Sequence, residues 1–145
     1  MKKIVPLGLG ALLVLPLAFS IGADAQQDEE PTPLQQAMGE LNGNMRKLRK
    51  LVESPADNQA VLLETVRNVQ EAALAAFANP PTAEAGLAAD DAAMWQAQFK
   101  RSVLALADTS VQMEIAVLSG DADGVTSAYA ALGELKKSGH DTFKK

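Results

Sequence analysis

The amino-acid sequence predicts an all-α protein, built as an antiparallel up-down-up-down four-helix bundle. Good helix formers such as Ala, Leu, Gln, Glu and Lys are abundant, and aromatic residues make up only 4% of the chain. Apolar residues recur three and four positions apart in four separate stretches, which is the spacing of one helix face. Mostly short turns separate these stretches, and short connections favour antiparallel neighbours.

The first 25 residues have the pattern of a secretory signal peptide. Two lysines precede a mostly apolar run over residues 4–22, and Ala23-Asp24-Ala25 then offers small residues for cleavage before Gln26. An uncleaved membrane anchor is the competing interpretation, but two prolines interrupt the run and a cleavage pattern ends it. We therefore predict export to the periplasm, with no membrane attachment after cleavage.

Charge and composition exclude several classes of function. The chain has 18 acidic and 13 basic residues, a formal net charge of −5, which argues against nucleic acid or an anionic membrane surface as a partner. It has no cysteine, so disulfides and thiol chemistry are excluded. No paired-carboxylate pocket, glycine-rich phosphate loop or histidine-containing triad is evident, and we predict that the protein is not an enzyme.

The first helix follows a polar segment. Residues 26–33 are charged and contain two prolines, and we predict a flexible N-terminal arm ahead of a bundle at residues 34–145. Thr32 followed by Pro33 is a helix start signal, a capping side chain before a proline. Apolar residues then alternate strictly four and three positions apart, at Leu34, Met38, Leu41, Met45, Leu48 and Val52. This is the single stripe of a bundle helix.

Three further helices follow from similar signals. Ser54-Pro55 predicts the start of a second helix, which runs to about Phe77 and ends before Pro80-Pro81. The third helix is expected from about Asp90 or Asp91 to Leu118 or Ser119, with Gly120 as its stop residue. Asp121 is the predicted cap of the fourth helix, which reaches the end of the chain.

The predicted topology gathers several candidate functional residues at one end of the bundle. Met38, near the start of helix 1, and His140, near the end of helix 4, are expected at nearly the same level. The aromatic side chains expected at this end are Phe77, Trp95, Phe99 and Phe143. Together with interspersed small residues they are able to line a slot for a flat apolar ligand. The only histidine of the chain supplies at most one imidazole, which suits an axial haem ligand better than a multi-histidine metal site.

Simpler interpretations of the same residues stay open at this point. A lone histidine near a helix C-terminus is commonly a solvated or capping side chain. Met38 taken alone is a gap-filling core residue, and an aromatic cluster is commonly packing. Their coincidence at one level of one fold is what favours a ligand site.

Met38-Gly39-Glu40-Leu41-Asn42-Gly43-Asn44-Met45 is similar to the first helix of the cytochrome b562 family, whose opening methionine is an axial haem ligand. Leu135-Lys136 with His140-Asp141-Thr142-Phe143-Lys144 is similar to its closing segment, in which the histidine is the second ligand. The Pro80-Pro81 break also matches the family's connection between helices 2 and 3. The related cytochromes c′ bind haem through Cys-x-x-Cys-His, and here Lys136 and Gly139 stand at the two cysteine positions.

The resemblance implies a periplasmic electron carrier with non-covalent haem b. Met38 and His140 would be the two iron ligands, with Phe77, Trp95, Phe99 and Phe143 around the macrocycle. Lys136 or Lys144 would neutralise the propionates. The implied partners are haem and an unidentified periplasmic redox protein, with the chain a monomer or a homodimer. The alternative is a haem-free helical bundle with a binding or stress-protective role, in which the dispersed methionines engage Cu(I).

Overall fold

The computed structural model describes residues 30–83 and 85–143. These residues form four α-helices and no strand: α1 (Pro33–Leu51), α2 (Gln59–Ala78), α3 (Ala89–Ser119) and α4 (Ala122–Phe143). The predicted all-α class and the four-helix bundle are confirmed. The predicted signal peptide, the first four residues of the predicted arm, and Lys144 lie outside the described residues.

Local capping explains why α1 and α4 begin where the sequence predicts. The Thr32 hydroxyl accepts a hydrogen bond from the Gln35 amide at 3.2 Å, and the Gln35 side chain accepts one from the Thr32 amide at 2.8 Å, which completes a capping box. At the other turn, Gly120 ends α3 with φ of 72°, and Asp121 Oδ1 accepts a hydrogen bond from the Gly124 amide at 2.9 Å. Asp90 and Asp91 lie in the first turn of α3, as expected.

The predicted start of the second helix is wrong by four residues. Ser54-Pro55 does not open α2 but opens a turn, which Asn58 closes from both its backbone and its side chain. The Asn58 amide donates to the Pro55 carbonyl oxygen at 3.3 Å, and its Nδ2 donates to the Ser54 carbonyl oxygen at 2.9 Å. The helical ladder begins only at Leu62, whose amide donates to the Asn58 carbonyl oxygen at 2.8 Å. A proline start signal fits a turn as well as a helix.

Helices adjacent in the sequence pack together: α1 on α2, α2 on α3 and α3 on α4. Their inward faces form a main core of buried aliphatic side chains, of which Leu48, Leu62, Met113 and Leu132 are the largest. A second buried cluster forms around Ala37, Ala76, Phe99 and Val103. Three polar residues, Asn44, Thr65 and Ser110, are buried among the described residues, and no buried side-chain polar atom there lacks a hydrogen-bond partner.

One described helix, α3, is long and apolar enough by length and composition to cross a membrane. The core helix of a soluble protein passes the same test. Only a third of the most apolar 18-residue segment of α3 is buried in the bundle, because apolar residues occur on both the inner and the outer face of this helix.

Candidate functional site

An apolar cavity of about 340 Å³ lies between α1 and α4, with α3 along one side. Its volume falls at the lower end of the range of small-molecule sites, roughly 300–1,000 Å³. The cavity exists because α1 and α4 do not pack as closely on each other as the three pairs of helices that are adjacent in the sequence. The bundle is therefore open along this one seam among its described helices.

Each wall of the cavity comes from one helix face. From α1 the lining residues are Leu34, Met38, Leu41, Asn42 and Met45. From α3 they are Phe99, Ser102, Val103 and Leu106. From α4 they are Leu135, Lys136, Gly139, His140 and Phe143, and Pro81 is added by the connection between α2 and α3. Apolar side chains dominate, and one imidazole, one ammonium and one amide are the polar groups free to meet a ligand.

Five predicted site residues share this cavity: Met38, Phe99, Lys136, His140 and Phe143. The structure therefore brings a thioether from α1 and an imidazole from α4 to the same apolar space. Within the cavity Ser102 has its hydroxyl engaged, since it donates to the Gln98 carbonyl oxygen at 3.1 Å. The ligand roles assigned to Met38 and His140 remain predictions.

Trp95 and Phe77, two of the predicted site residues, do not line the cavity but contact residues that do. Trp95 packs edge-on against Phe143, with ring centroids 5.4 Å apart, and Phe99 meets the same ring at 5.5 Å. The two contacts hold Phe143 between them, so its orientation at the cavity is fixed by packing. Phe77 packs against the cluster of Phe99 and Val103, and its ring faces Lys100 Nζ, 5.5 Å from the ring centroid.

The connection between α2 and α3 also contributes to the wall. Gln96 Nε2 donates a hydrogen bond to the Pro81 carbonyl oxygen at 3.1 Å, which ties this connection to α3 beside the cavity. Pro81 was predicted only to break the chain between helices 2 and 3. Asn42 and Met45 were not predicted as site residues, although Met45 lies seven residues after Met38 on the same stripe. That spacing was the available signal for Met45.

A conventional metal site is absent from the described part of the chain. No three His, Cys, Asp or Glu side chains gather there in a group able to hold a metal ion. Any metal at the cavity would need a donor set other than three such residues, and the lining offers the His140 imidazole and the thioethers of Met38 and Met45.

Comparison with known proteins gives no relative. No protein-family model, curated protein or solved structure matches this chain. The functional argument therefore depends on the cavity and on the residues that line it.

Proposed function

We propose that the protein is a periplasmic one-electron carrier, in which Met38 and His140 hold a non-covalently bound haem b in the cavity between α1 and α4. The observation that supports this function is the presence of both side chains on one apolar cavity. A thioether and a neutral imidazole are the donor pair of high-potential haem sites. The absence of cysteine from the chain means that no thioether bond to haem forms.

The proposal includes the antiparallel up-down-up-down arrangement of the bundle. Gln59 at the start of α2 donates from Nε2 to the carbonyl oxygen of Val117, near the end of α3, at 3.1 Å. Trp95, near the start of α3, packs against Phe143 at the end of α4. These contacts support opposite directions for neighbouring helices. The same arrangement accounts for a cavity shared by the beginning of α1 and the end of α4.

The residues of the cavity fit such a group chemically. His140 and Lys136 are half-buried residues of the cavity lining, so each adds a polar group to a mainly apolar wall. Phe99, Leu106 and Leu135 give the cavity an apolar lining. Haem held by Met38 and His140 would exchange one electron with a partner at a potential raised by methionine ligation and burial. Because Met38 and His140 would both bind the iron, the haem would supply electron transfer and not substrate binding.

The proposed location is the periplasm, and its basis is the predicted signal peptide at residues 1–25. Export would deliver the chain to the compartment in which the proposed redox partner is found. Nothing about this step depends on the cavity, so it is tested separately by sequencing the N-terminus of the exported protein. A mature N-terminus at Gln26 is expected, and a retained leader would contradict the location.

Absorption spectra test the ligand assignment. The protein, expressed with its leader in a haem-supplied host, is expected to give the sharp split visible bands of low-spin haem on reduction. Met38→Ala and His140→Ala should each abolish these bands, since each removes one of the two residues that would bind the haem iron. Met45→Ala, which changes the other methionine of the cavity, and Met94→Ala, which changes an exposed one, should retain them.

Two outcomes would contradict the proposal. A colourless protein that also ignores added hemin would leave the haem-free bundle as the better hypothesis. Bands that persist in both Met38→Ala and His140→Ala would show that haem, although present, is held elsewhere.

A further inference from the structure

The outer face of α3, opposite the core, is apolar along most of its length. Met94 is 61% exposed, Ile115 60% and Leu118 58%, and Leu104 and Val111 are also exposed. Globular helices normally carry polar residues on this side. The bundle therefore leaves a second hydrophobic stripe on α3 that none of its described elements covers.

This stripe has the spacing of a coiled-coil seam. Its first set of positions, seven residues apart, is Met94, Arg101, Asp108 and Ile115. Its second set, three residues after each of these, is Ala97, Leu104, Val111 and Leu118. All eight side chains are exposed. A repeat of three and four residues sustained over 25 positions, about 36 Å of helix, is the pattern with which one helix packs along another.

The two charged positions of the stripe carry opposite signs. Arg101 and Asp108 occupy consecutive positions of the first set. Neither forms an ion pair with another described residue, and Asp108 accepts only a hydrogen bond from Gln112 Nε2 at 2.8 Å on its own helix. Two opposite charges on one face are self-complementary, because a two-fold axis brings the positive one to the negative one of a second copy.

We propose that α3 pairs with α3 of a second copy of this chain, in antiparallel orientation, through this outer stripe. In the register where the two sets of positions face each other, Met94 lies opposite Leu118 of the second copy and Ala97 opposite its Ile115. Near the middle of the paired helices, Arg101 lies no more than one layer of facing side chains away from Asp108 of the second copy. The two-fold axis produces a second, identical pair between Asp108 and the second copy's Arg101. The apolar layers thus lie at both ends and two ion pairs lie at the centre.

A lipid surface is a poorer occupant of the same face. Arg101 and Asp108 lie in the middle of the stripe, where insertion into hydrocarbon would desolvate two charges without partners. In the pair of helices the same charges neutralise each other. The α3 residues that line the cavity, among them Phe99, Val103 and Leu106, lie on the opposite side of the helix. The pairing therefore leaves the cavity of each copy open and does not depend on its ligand.

Sedimentation equilibrium over a concentration series tests the pairing. The wild-type protein is expected to reach twice the mass of a single chain, and Ile115→Glu to remain a single chain at every concentration. Leu74→Glu is the matched control, because Leu74 is similarly exposed, at 53%, on the outer face of α2. It should dimerise as the wild type does, and circular dichroism should give the same helix content for all three proteins.

A charge exchange tests the antiparallel register. Arg101→Asp and Asp108→Arg should each shift the monomer–dimer equilibrium at least tenfold toward the monomer, since each places like charges across the axis. The double variant should restore dimerisation, which a merely misfolded single variant cannot do.

The proposal is overturned if the wild type stays monomeric, if Leu74→Glu dissociates as readily as Ile115→Glu, or if the double exchange fails to restore the dimer. It is also overturned if monomeric wild-type protein sediments with phosphatidylcholine vesicles and Ile115→Glu does not.

Discussion

Glu114 illustrates what a single side chain contributes to the contact between two helices. Its carboxylate accepts hydrogen bonds from Gln70 Nε2 and Arg67 Nε of α2, each at 2.8 Å. These hydrogen bonds, Gln70 first and then Arg67, hold the pKa of Glu114 below its ordinary value of 4.5. Arg67 is more than half exposed, so solvent weakens the ion pair considerably.

The lowered pKa of Glu114 predicts a pH dependence of stability. A carboxylate whose pKa is lowered in the folded state stabilises that state above its unfolded pKa, and the contribution is lost as the pH falls through the folded value. Glu114→Gln should therefore lower the free energy of unfolding at pH 7 by less than about 1 kcal/mol. Urea denaturation at several pH values should find this difference shrinking below pH 4.5.

The control for Glu114 is Glu71→Gln. Glu71 is exposed on α2 and has no side-chain hydrogen bond to another described residue. Its replacement should change the free energy of unfolding by no more than about 0.5 kcal/mol. An equal effect from both variants would mean that overall charge, and not the contact with Gln70 and Arg67, is responsible.

At the scale of whole helices, boundaries set by local chemistry were predictable from the sequence. Thr32 and Gly120 act on the three or four residues next to them, so a short motif was sufficient to identify each. The start of α2 was not predictable in this way, because Ser54-Pro55 begins a turn and a helix equally well. Only the hydrogen bonds of Asn58 decide between them, and these depend on the path of the chain after α1.

Two glycines predict opposite effects of the same substitution. Gly120 ends α3 with a positive φ of 72°, which an alanine adopts only with strain. Gly120→Ala should therefore lower the free energy of unfolding by about 1 kcal/mol. Gly133 lies inside α4, where an added Cβ meets no atom within 4 Å.

Gly133→Ala should raise the free energy of unfolding by roughly 0.5–1 kcal/mol, since alanine favours the helix. Thermal or urea denaturation of the two variants measures both the expected increase and the expected decrease in the free energy of unfolding. A stabilising Gly120→Ala would contradict the role of the positive φ in ending α3.

At the scale of the whole molecule, the sequence predicted which residues would meet but not the shape of the space between them. The stripe of α1 and the position of His140 depend on helix periodicity, which is encoded locally. The wall that Pro81 and Ser102 add depends on how the connection after α2 folds onto α3, and no local pattern encodes it. Trp95 and Phe77 were placed at the correct end of the bundle, but packing turns them toward Phe143 and Lys100.

The stability of the whole bundle should depend on the cavity ligand if the proposed function is right. A ligand that binds only the folded state stabilises it by an amount set by its concentration, about 2.7 kcal/mol at one hundred times its Kd. Saturating hemin should therefore raise the free energy of unfolding of the apoprotein by about this amount. The rise should vanish in a Met38→Ala, His140→Ala double variant and persist in Met94→Ala, whose side chain lies outside the cavity. A rise that survives in the double variant would mean that hemin binds without Met38 and His140, which contradicts the ligand assignment.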